Sequence, residues 1–167
     1  MTELLESIRE QLVELLPRLR RFARTLARHD ADADDLVQIA LERALTRAEQ
    51  WDPASRLDSW TFGIIRNAWI DEVRARQRRG PQIDMDELAE TLGNDTTNTE
   101  IEVMSVQAAM ARLPEEQRTA VSLVLVEGLS YKEAAQVMQV PIGTLTSRLA
   151  RGRDALQAML SPLEGVQ

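Results

Sequence analysis

With 167 residues, 44% of them hydrophobic, the chain is long enough for one ordinary domain or two small ones and too apolar for disorder throughout. It has no cysteine and one histidine, His29, which excludes disulfides and thiolate sites and leaves almost nothing for a histidine metal site or triad. No apolar stretch approaches the roughly 20 residues that span a bilayer and no signal segment is recognisable, so we expect a cytoplasmic protein without membrane insertion, metal or cofactor.

The net charge of −7 is concentrated in one segment. Residues 81–110 contain seven acidic residues and no Lys or Arg. Residues 1–80 hold 14 acids and 14 arginines, and residues 111–167 hold six acidic and six basic residues. Because contact with nucleic acid depends on local arginine clusters, an acidic total does not exclude DNA binding.

The first segment has helical periodicity. Apolar residues recur at spacings of three and four from Leu5 to Leu26, which predicts a helix with one buried face. Pro17 interrupts this row, so we expect a kink or a new helix there. The intervening arginines, Arg18 and Arg21 among them, are interpreted mainly as a solvated outer face.

Four aspartates, Asp30, Asp32, Asp34 and Asp35, precede the apolar run that begins at Leu36. Acidic residues at a helix start accept hydrogen bonds from free backbone N–H groups and suit the helix dipole, so capping explains one or two of them. The others are spare carboxylates that could serve a basic partner surface. The sequence leaves these two interpretations equally open.

A loop and a long helix follow. The run Trp51-Asp52-Pro53-Ala54-Ser55-Arg56 predicts a loop, because Asp-Pro breaks helical continuity. The helix is predicted from about Asp58 to Arg79, with Gly80-Pro81 as its stop. Its last turns carry four arginines: Arg74, Arg76, Arg78 and Arg79. That number exceeds what the dipole needs, which favours contact with phosphates.

Residues 81–103 are acidic, rich in Thr and Asn and nearly without periodicity, which predicts a linker. A short helix between Met85 and Leu92 could interrupt it. We therefore predict an all-α fold of two small helical domains, residues 1–80 and 104–167, joined by an acidic flexible linker.

The strongest motif lies near the C-terminus. Ser130 followed by Glu133 forms a capping box, and a short helix is predicted after it. After a turn at 139–141, a second helix runs from Ile142 to about Met159, which makes a helix-turn-helix whose second helix enters the major groove. Its start offers hydroxyls and arginines for DNA contact: Thr144, Thr146, Ser147, Arg148, Arg151 and Arg153. An ordinary helical hairpin with a solvated polar face is the alternative.

Three of these segments resemble the −35-reading domain of extracytoplasmic-function sigma factors: Leu113-Pro114-Glu115-Glu116-Gln117-Arg118, Glu127-Gly128-Leu129-Ser130-Tyr131-Lys132-Glu133-Ala134-Ala135 and Pro141-Ile142-Gly143-Thr144-Leu145-Thr146-Ser147-Arg148-Leu149. Two others resemble that family's −10-reading domain: Asp34-Asp35-Leu36-Val37-Gln38 and Trp60-Thr61-Phe62-Gly63-Ile64-Ile65-Arg66-Asn67. The resemblance covers nearly the whole chain. It implies an alternative sigma factor, the subunit that gives bacterial RNA polymerase its promoter specificity.

The resemblance also implies a role for each group of residues. The clamp helices of core RNA polymerase would bind Asp34, Asp35, Leu36 and Gln38. An unstacked base of the −10 element would enter the loop of Trp51, Asp52, Ser55 and Arg56. The DNA backbone beside the opened duplex would contact Arg74, Arg76, Arg78 and Arg79. Trp60 matches a core position of the family, whereas Trp69 could serve either purpose.

Two further partners concern the linker and regulation. The acidic linker would thread the RNA channel of the polymerase, although linkers are often acidic simply to stay soluble. An anti-sigma factor is expected to hold the two domains shut until a signal arrives, because no segment of the chain has the character of a sensor.

The sequence departs from the family at three positions. Thr146 and Ala150 stand where relatives often carry basic or aromatic residues on the recognition helix. Since Thr146 cannot make the bidentate contact of arginine, we expect the −35 sequence to differ from that of a typical relative. Thr61 replaces a common leucine, which is expected to loosen local packing.

Three other functions compete with this interpretation. A helix-turn-helix transcriptional regulator with a helical sensor domain would not need the 34–38 segment or the loop before Trp60. A sigma mimic that titrates a regulator should lose its basic positions, yet the arginines are present. An enzyme is disfavoured because the carboxylates fall at capping positions or in the linker, without a phosphate loop or a nucleophile motif.

Overall fold

The computed structural model describes residues 2–80 and 101–161, and for residues 101–105 it describes the backbone only. These ranges form seven α-helices and no strand: α1 Thr2–Ala27, α2 Asp30–Thr46, α3 Leu57–Arg78, α4 Ile101–Arg112, α5 Glu115–Val121, α6 Tyr131–Met138 and α7 Ile142–Leu160. A 3₁₀ turn, Ala48–Gln50, follows α2, and a π-helical turn, Ser122–Val126, continues α5. The all-α prediction is confirmed.

The predicted linker lies mostly outside the described residues, and so does the short helix considered between Met85 and Leu92. The backbone is already helical at Ile101, slightly before the predicted end of the linker at 103.

Helix α1 continues through Pro17, so the prediction of a new helix at this residue is wrong. Proline has no N–H to donate to the carbonyl four residues earlier, that of Val13. Pro17 is exposed and Val13 is 65% exposed, so this carbonyl faces solvent. Water can satisfy it, and a proline inside a helix is tolerated where that is so.

The first three helices pack against one another around the predicted apolar row of α1. Ile8, Leu19 and Phe22 are fully buried. The Phe22 ring meets Phe62 of α3 edge to face, with ring centroids 5.1 Å apart. Thr61 is also fully buried, and its hydroxyl donates to the carbonyl of Leu57 at 2.7 Å, so the polar group is satisfied within α3.

The last four helices pack around α7. Leu145 and Leu149 of α7 are buried, and Leu113, Leu123 and Met138 from the preceding segments join the same core. The backbones of α5 and α7 approach closely where α7 carries glycine. A Cβ placed at Gly152 would lie 2.7 Å from Cγ2 of Val121 and 3.3 Å from the carbonyl oxygen of Gln117.

We therefore expect Gly152→Ala to destabilise the protein. The added methyl clashes with Val121, and overpacking of this kind costs about 1–3 kcal/mol, which outweighs the gain in helix propensity of up to about 1 kcal/mol. Gly143→Ala is the matched control, because a Cβ on Gly143 of the same helix meets nothing within 4 Å. Urea unfolding of both variants measures the difference, and equal midpoints would contradict the close approach of α5 and α7.

Candidate nucleic-acid interface

The helix-turn-helix is built by α6, a three-residue turn and α7. At the start of α6 the hydroxyl of Ser130 accepts the N–H of Glu133 at 3.1 Å, and the Glu133 carboxylate accepts the N–H of Ser130 at 2.9 Å. The predicted capping box is confirmed. At the other end Gln139 adopts a left-handed conformation with φ 57°, and the N–H of Val140 donates to the carbonyl of Ala135 at 3.1 Å. This turn closes α6 tightly and allows α7 to begin at Ile142.

Helix α7 presents most of its predicted DNA-contacting side chains to solvent. Four of them are exposed: Thr146, Ser147, Arg151 and Arg153. Thr144 is half-buried. The Thr146 hydroxyl donates to the carbonyl of Ile142 at 2.8 Å, so its proton is occupied within the helix. The free face of α7 therefore carries two hydroxyl side chains near its start and two arginines one to two turns later.

Arg148 differs from the others because it pairs with a carboxylate of α5. Its side chain is 20% exposed, and its Nη2 lies 3.3 Å from the Glu116 carboxylate. Arg66 of α3 lies nearby. Burial lowers the pKa of the Arg66 guanidinium, and the positive charge of Arg148 lowers it further. The negative charges of Glu115 and Glu116 oppose this shift only in part.

The start of α2 corrects the capping interpretation of the aspartates. The residue before the helix is His29, which makes no side-chain cap bond. Asp32 accepts a hydrogen bond from Arg76 at 3.0 Å, and Asp30 lies 3.5 Å from Arg24, so both form ion pairs. Neither provides the predicted cap.

The segment expected to bind polymerase is only partly at the surface. Asp34, Asp35 and Gln38 are exposed, whereas Leu36 is 3% exposed and belongs to the core. Leu36 packs in the core, and its part in polymerase binding stays a prediction. A groove between α2 and α3 is lined by both acidic and aromatic side chains, among them Asp35, Gln38, Glu42, Trp69 and Glu72.

The loop at 51–56 is held by its own hydrogen bonds. Asp52 accepts the N–H of Ala54 at 2.9 Å through its carboxylate, and the hydroxyl of Ser55 donates to the Asp52 carbonyl at 2.7 Å. Trp51 is 9% exposed and lies in the core. The side chain of Trp51 is therefore largely enclosed, and its role in the −10 loop stays a prediction.

The last residue of this loop, Arg56, is engaged by carboxylates. It donates to both oxygens of Asp58 at 3.1 and 2.7 Å, and it lies 3.6 Å from Glu133 of α6. A predicted DNA-contacting arginine of the first unit thus touches the capping residue of the helix-turn-helix.

The arginines at the end of α3 divide into two pairs. Arg76 lies over the Trp69 ring and bonds to Asp32 and Glu72, and Arg79 pairs with Glu72 at 3.3 Å. Arg76 therefore ties α3 to α2 while its side chain stays 44% exposed, and its contact with the DNA backbone stays a prediction. The other pair is exposed and lines an open depression with Asp71 and Gln77: Arg74 and Arg78. Within the described ranges neither of these two has an ion pair.

The sequence did not reveal the contact between the two halves. Glu127 follows the π-helical turn, and its side chain is fully buried between residues of α1. Arg18 donates to its Oε1 at 3.1 Å, and Arg21 donates to Oε2 at 2.8 Å and to Oε1 at 2.7 Å. Arg18 also donates to Asp58 at 3.0 Å. The prediction of a solvated face is wrong for Arg18 and Arg21, because the acceptor lies more than 100 residues away and no local pattern indicates it.

A second arginine bridge lies beside this contact. Arg118 of α5 is 5% exposed and donates to the carbonyls of Thr25 at 2.9 Å and Leu113 at 3.0 Å. Burial, and then the nearby charge of Arg28, lower the pKa of Arg118. Arg28, which has φ 68°, donates in turn to the carbonyl of Ala111 at 3.1 Å. Hydrogen bonds to backbone carbonyls therefore hold the end of α1 against the α4–α5 region. They add to the bonds between α1 and Glu127.

Asp58 is the carboxylate at the centre of the loop and α1 contacts. Burial alone would raise its pKa, but hydrogen bonds from Arg56, the N–H of Ser59 and Arg18 outweigh burial and lower the pKa of Asp58 below its ordinary value of 3.8. A carboxyl whose pKa is lower in the folded state stabilises the fold above its unfolded pKa, and this contribution disappears as the pH falls through the folded value.

We expect Asp58→Asn to lower the free energy of unfolding by about 1–3 kcal/mol at pH 7, because the charged hydrogen bonds are lost. The gap between wild type and variant should narrow below pH 4, where the wild-type carboxyl is itself protonated. Urea unfolding at pH 7 and pH 3 measures both values. Asp154→Asn, at an exposed position of α7, is the control and should change the free energy at pH 7 by less than about 0.5 kcal/mol. A gap that stays constant with pH would contradict this role of Asp58.

None of the helices described for this chain combines the length and the apolar character that crossing a membrane requires.

Comparison with known proteins matches the two halves separately. Residues 12–79 match the family model of Sigma-70 region 2, and residues 104–156 match that of Sigma-70, region 4. The ECF RNA polymerase sigma factor EcfG of Rhodopseudomonas palustris (strain TIE-1) is 37% identical over 158 residues, which cover 94% of this chain and 87% of EcfG. The RNA polymerase sigma-H factor of Pseudomonas aeruginosa is 35% identical over 148 residues, covering 81% and 77% of the two chains.

Solved structures agree in fold. The sigma factor RpoE of Bartonella quintana, in complex with the anti-sigma factor NepR, superposes with a TM-score of 0.75 at 28% identity and covers 97% of this chain and 99% of that chain. CnrH, in complex with the cytosolic domain of CnrY, superposes with a TM-score of 0.68 at 22% identity, covering 95% and 90%, which is a likeness of fold. The chain belongs to the sigma-70 family and is an alternative sigma factor of the extracytoplasmic-function group.

Proposed function

We propose that this chain directs core RNA polymerase to promoters whose −35 element is read by α7 and whose −10 element is read by the loop at 51–56 and the end of α3. The observation that carries the proposal is the free face of α7, which follows a capped helix and a tight turn, as in a DNA-reading helix-turn-helix. The domain limits proposed for these roles are residues 1–80 and 104–167, with 81–103 as the linker.

For the −35 element we assign the exposed residues of α7. Arginine can make bidentate bonds to guanine or bind phosphate, and hydroxyls suit either base edges or phosphates. The residues assigned are Thr146, Ser147, Arg151 and Arg153, with Thr144 and Arg148 at the edge of the surface. Because Thr146 offers no guanidinium, specificity at its base pair should differ from that of relatives with a basic residue there.

For the −10 element we assign Asp52, Ser55 and Arg56 of the loop, with Arg74 and Arg78 on the backbone of the DNA. An ordered loop suits capture of an extruded base, because little conformational entropy is lost when the base binds. Arg76 and Arg79 support this surface through Glu72 and do not need to touch DNA themselves.

For core polymerase we assign Asp34, Asp35 and Gln38 on the outer face of α2. Exposed carboxylates suit a basic partner surface, which the clamp helices of the polymerase would supply. The protein would therefore work in the cytoplasm, together with the polymerase.

We also propose an anti-sigma factor as a regulatory partner. The likeness to RpoE of Bartonella quintana, whose solved structure contains the anti-sigma factor NepR, supports this assignment. Such a partner would act on the closed arrangement described above, in which α3 packs against α6 and the units meet at Glu127.

Reading two promoter elements at once requires the units to separate. The two elements are separate sites along the duplex. In the closed arrangement Arg56 of the −10 loop lies only 3.6 Å from Glu133 of α6, so the surfaces assigned to the two elements are held close together.

Transcription in vitro tests the proposal. Purified chain is added to bacterial core polymerase with genomic fragments as templates, and the 5′ ends of the transcripts are sequenced. We expect starts that depend on the chain and share two motifs at a fixed spacing. Binding to core without such starts would favour a sigma mimic, and failure to bind core would overturn the assignment of α2.

Arg151→Gln tests the −35 assignment in the same assay. If Arg151 contacts a base, the substitution should cost about 1–3 kcal/mol of promoter binding and relax the sequence preference at one position. If it contacts phosphate, binding should weaken uniformly and the salt slope should fall by about 1. Arg20→Gln is the control, since Arg20 is exposed on α1 and has no ion pair in the part of the chain that the structure describes. Wild-type affinity and salt dependence in Arg151→Gln would refute the assignment.

A further inference from the structure

The carboxylate of Glu127 is satisfied only by the other half of the protein. Its side chain is fully buried, and every side-chain hydrogen bond described for it comes from α1. Arg21 binds both of its oxygens, at 2.7 and 2.8 Å, and Arg18 adds a bond of 3.1 Å. Arg18 also donates to the backbone carbonyl of Glu127 at 2.9 Å, so side chain and main chain are held together. Buried ionised groups are stable only when they are paired in this manner.

The local backbone aims this carboxylate at α1. The N–H of Glu127 donates to the carbonyl of Ser122 at 2.9 Å, which is a π-helical hydrogen bond, and Gly128 follows with φ 75°. The π turn widens the end of the helix, and such turns occur often at functional positions. Glu127 therefore occupies a specially shaped helix end, with its side chain directed out of its own unit.

The same closure occupies residues that we assign to DNA. Arg56 of the −10 loop is 3.6 Å from Glu133 across the interface, whereas Arg148 of α7 pairs with Glu116 of its own half at 3.3 Å. Trp69 of α3 donates to the carboxylate of Glu115. Carboxylates of the second half thus bind Arg56 and Trp69 of the first half, beside the surface that we assign to the −10 element. Promoter phosphates would have to compete with these carboxylates while the chain stays closed.

We propose that Glu127, Arg18 and Arg21 form an autoinhibitory latch that keeps the free chain closed without any partner protein. This inference rests on the proposed promoter-binding function. Arg18 extends the latch to Asp58, which also binds Arg56, so a single network joins the interface to the −10 loop. Opening the latch would separate Arg56 of the −10 loop from Glu133 of α6.

The balance of the latch depends on what replaces the buried bonds. In the open state Glu127 and both arginines regain water, so only the difference between the protein bonds and the hydrated groups holds the chain closed. Hydrogen bonds to an ionised group remain net stabilising after this exchange with water. Loss of one partner should therefore lower the closed-to-open ratio about tenfold. Core polymerase, which would bind only the open chain productively, can then overcome the latch by mass action.

The distance between the two units tests the latch directly. Because the chain has no cysteine, two cysteines introduced at the exposed positions Glu10 and Gln157 can carry a fluorescent donor and acceptor without further changes. Energy transfer is measured on the free, full-length chain as wild type, Glu127→Gln, Arg21→Gln and the double variant. Arg20→Gln, the exposed neighbour of Arg21, is the matched control.

Both single variants should lower the closed-to-open ratio about tenfold, because each removes the same charged pair. The double variant should add little to either single variant, since the two side chains share one interaction. Arg20→Gln should match wild type. Binding of the free chain to a promoter duplex, selected from transcripts started by the wild-type holoenzyme, should tighten in the variants that open.

Two results would overturn the latch. Wild-type energy transfer in both folded single variants, with helix content checked by circular dichroism, would show that the network does not hold the units together. If Glu127→Gln fails to fold, Arg21→Gln decides alone, because Arg21 is half-exposed and its guanidinium binds only Glu127 in the described part of the chain. Opening without tighter promoter binding would overturn autoinhibition. If the wild-type chain starts no transcripts with core polymerase, the proposed function fails. Binding to a nonspecific DNA duplex is then measured in place of binding to the promoter duplex.

Discussion

The arrangement of this molecule depends on one buried carboxylate. Glu127 lies between two helical units, and Arg18 and Arg21 from the first helix satisfy it completely. A charge with no access to water must keep its partners, so this network constrains the orientation of one unit on the other. Arg18 carries the constraint further, because it also binds Asp58 at the start of α3.

The closed arrangement brings together surfaces that promoter binding needs apart. The helix-turn-helix packs against α3, and arginines assigned to each promoter element bind carboxylates within the chain. Such contacts protect exposed basic surfaces from nonspecific nucleic acid while the protein is free, since a guanidinium already paired with a carboxylate attracts phosphate weakly. A sigma factor of this design would bind DNA well only after polymerase has separated its units.

Several features were predictable because they depend on neighbours in sequence. The capping box of Ser130 and Glu133, the limits of α7 and the buried row of α1 follow from spacing and local hydrogen bonding. The family resemblance, confirmed by the match to Sigma-70 regions 2 and 4, also rests on local motifs. The DNA contacts assigned to α7 and to the loop stay predictions, because they depend on which promoter bases lie opposite each side chain.

The sequence by itself determined the helices, their order and the family, because helix periodicity, capping and turn residues act over a few positions. Only the tertiary structure decided which charged side chains are free. Arg74 and Arg76 have similar sequence environments, yet Arg74 is exposed while Arg76 is held by Asp32 of another helix. Likewise Trp51 is buried in the core, and Arg21 meets a glutamate 106 residues away. Pairing of charges depends on distances between helices, and no periodic pattern within one helix contains that information.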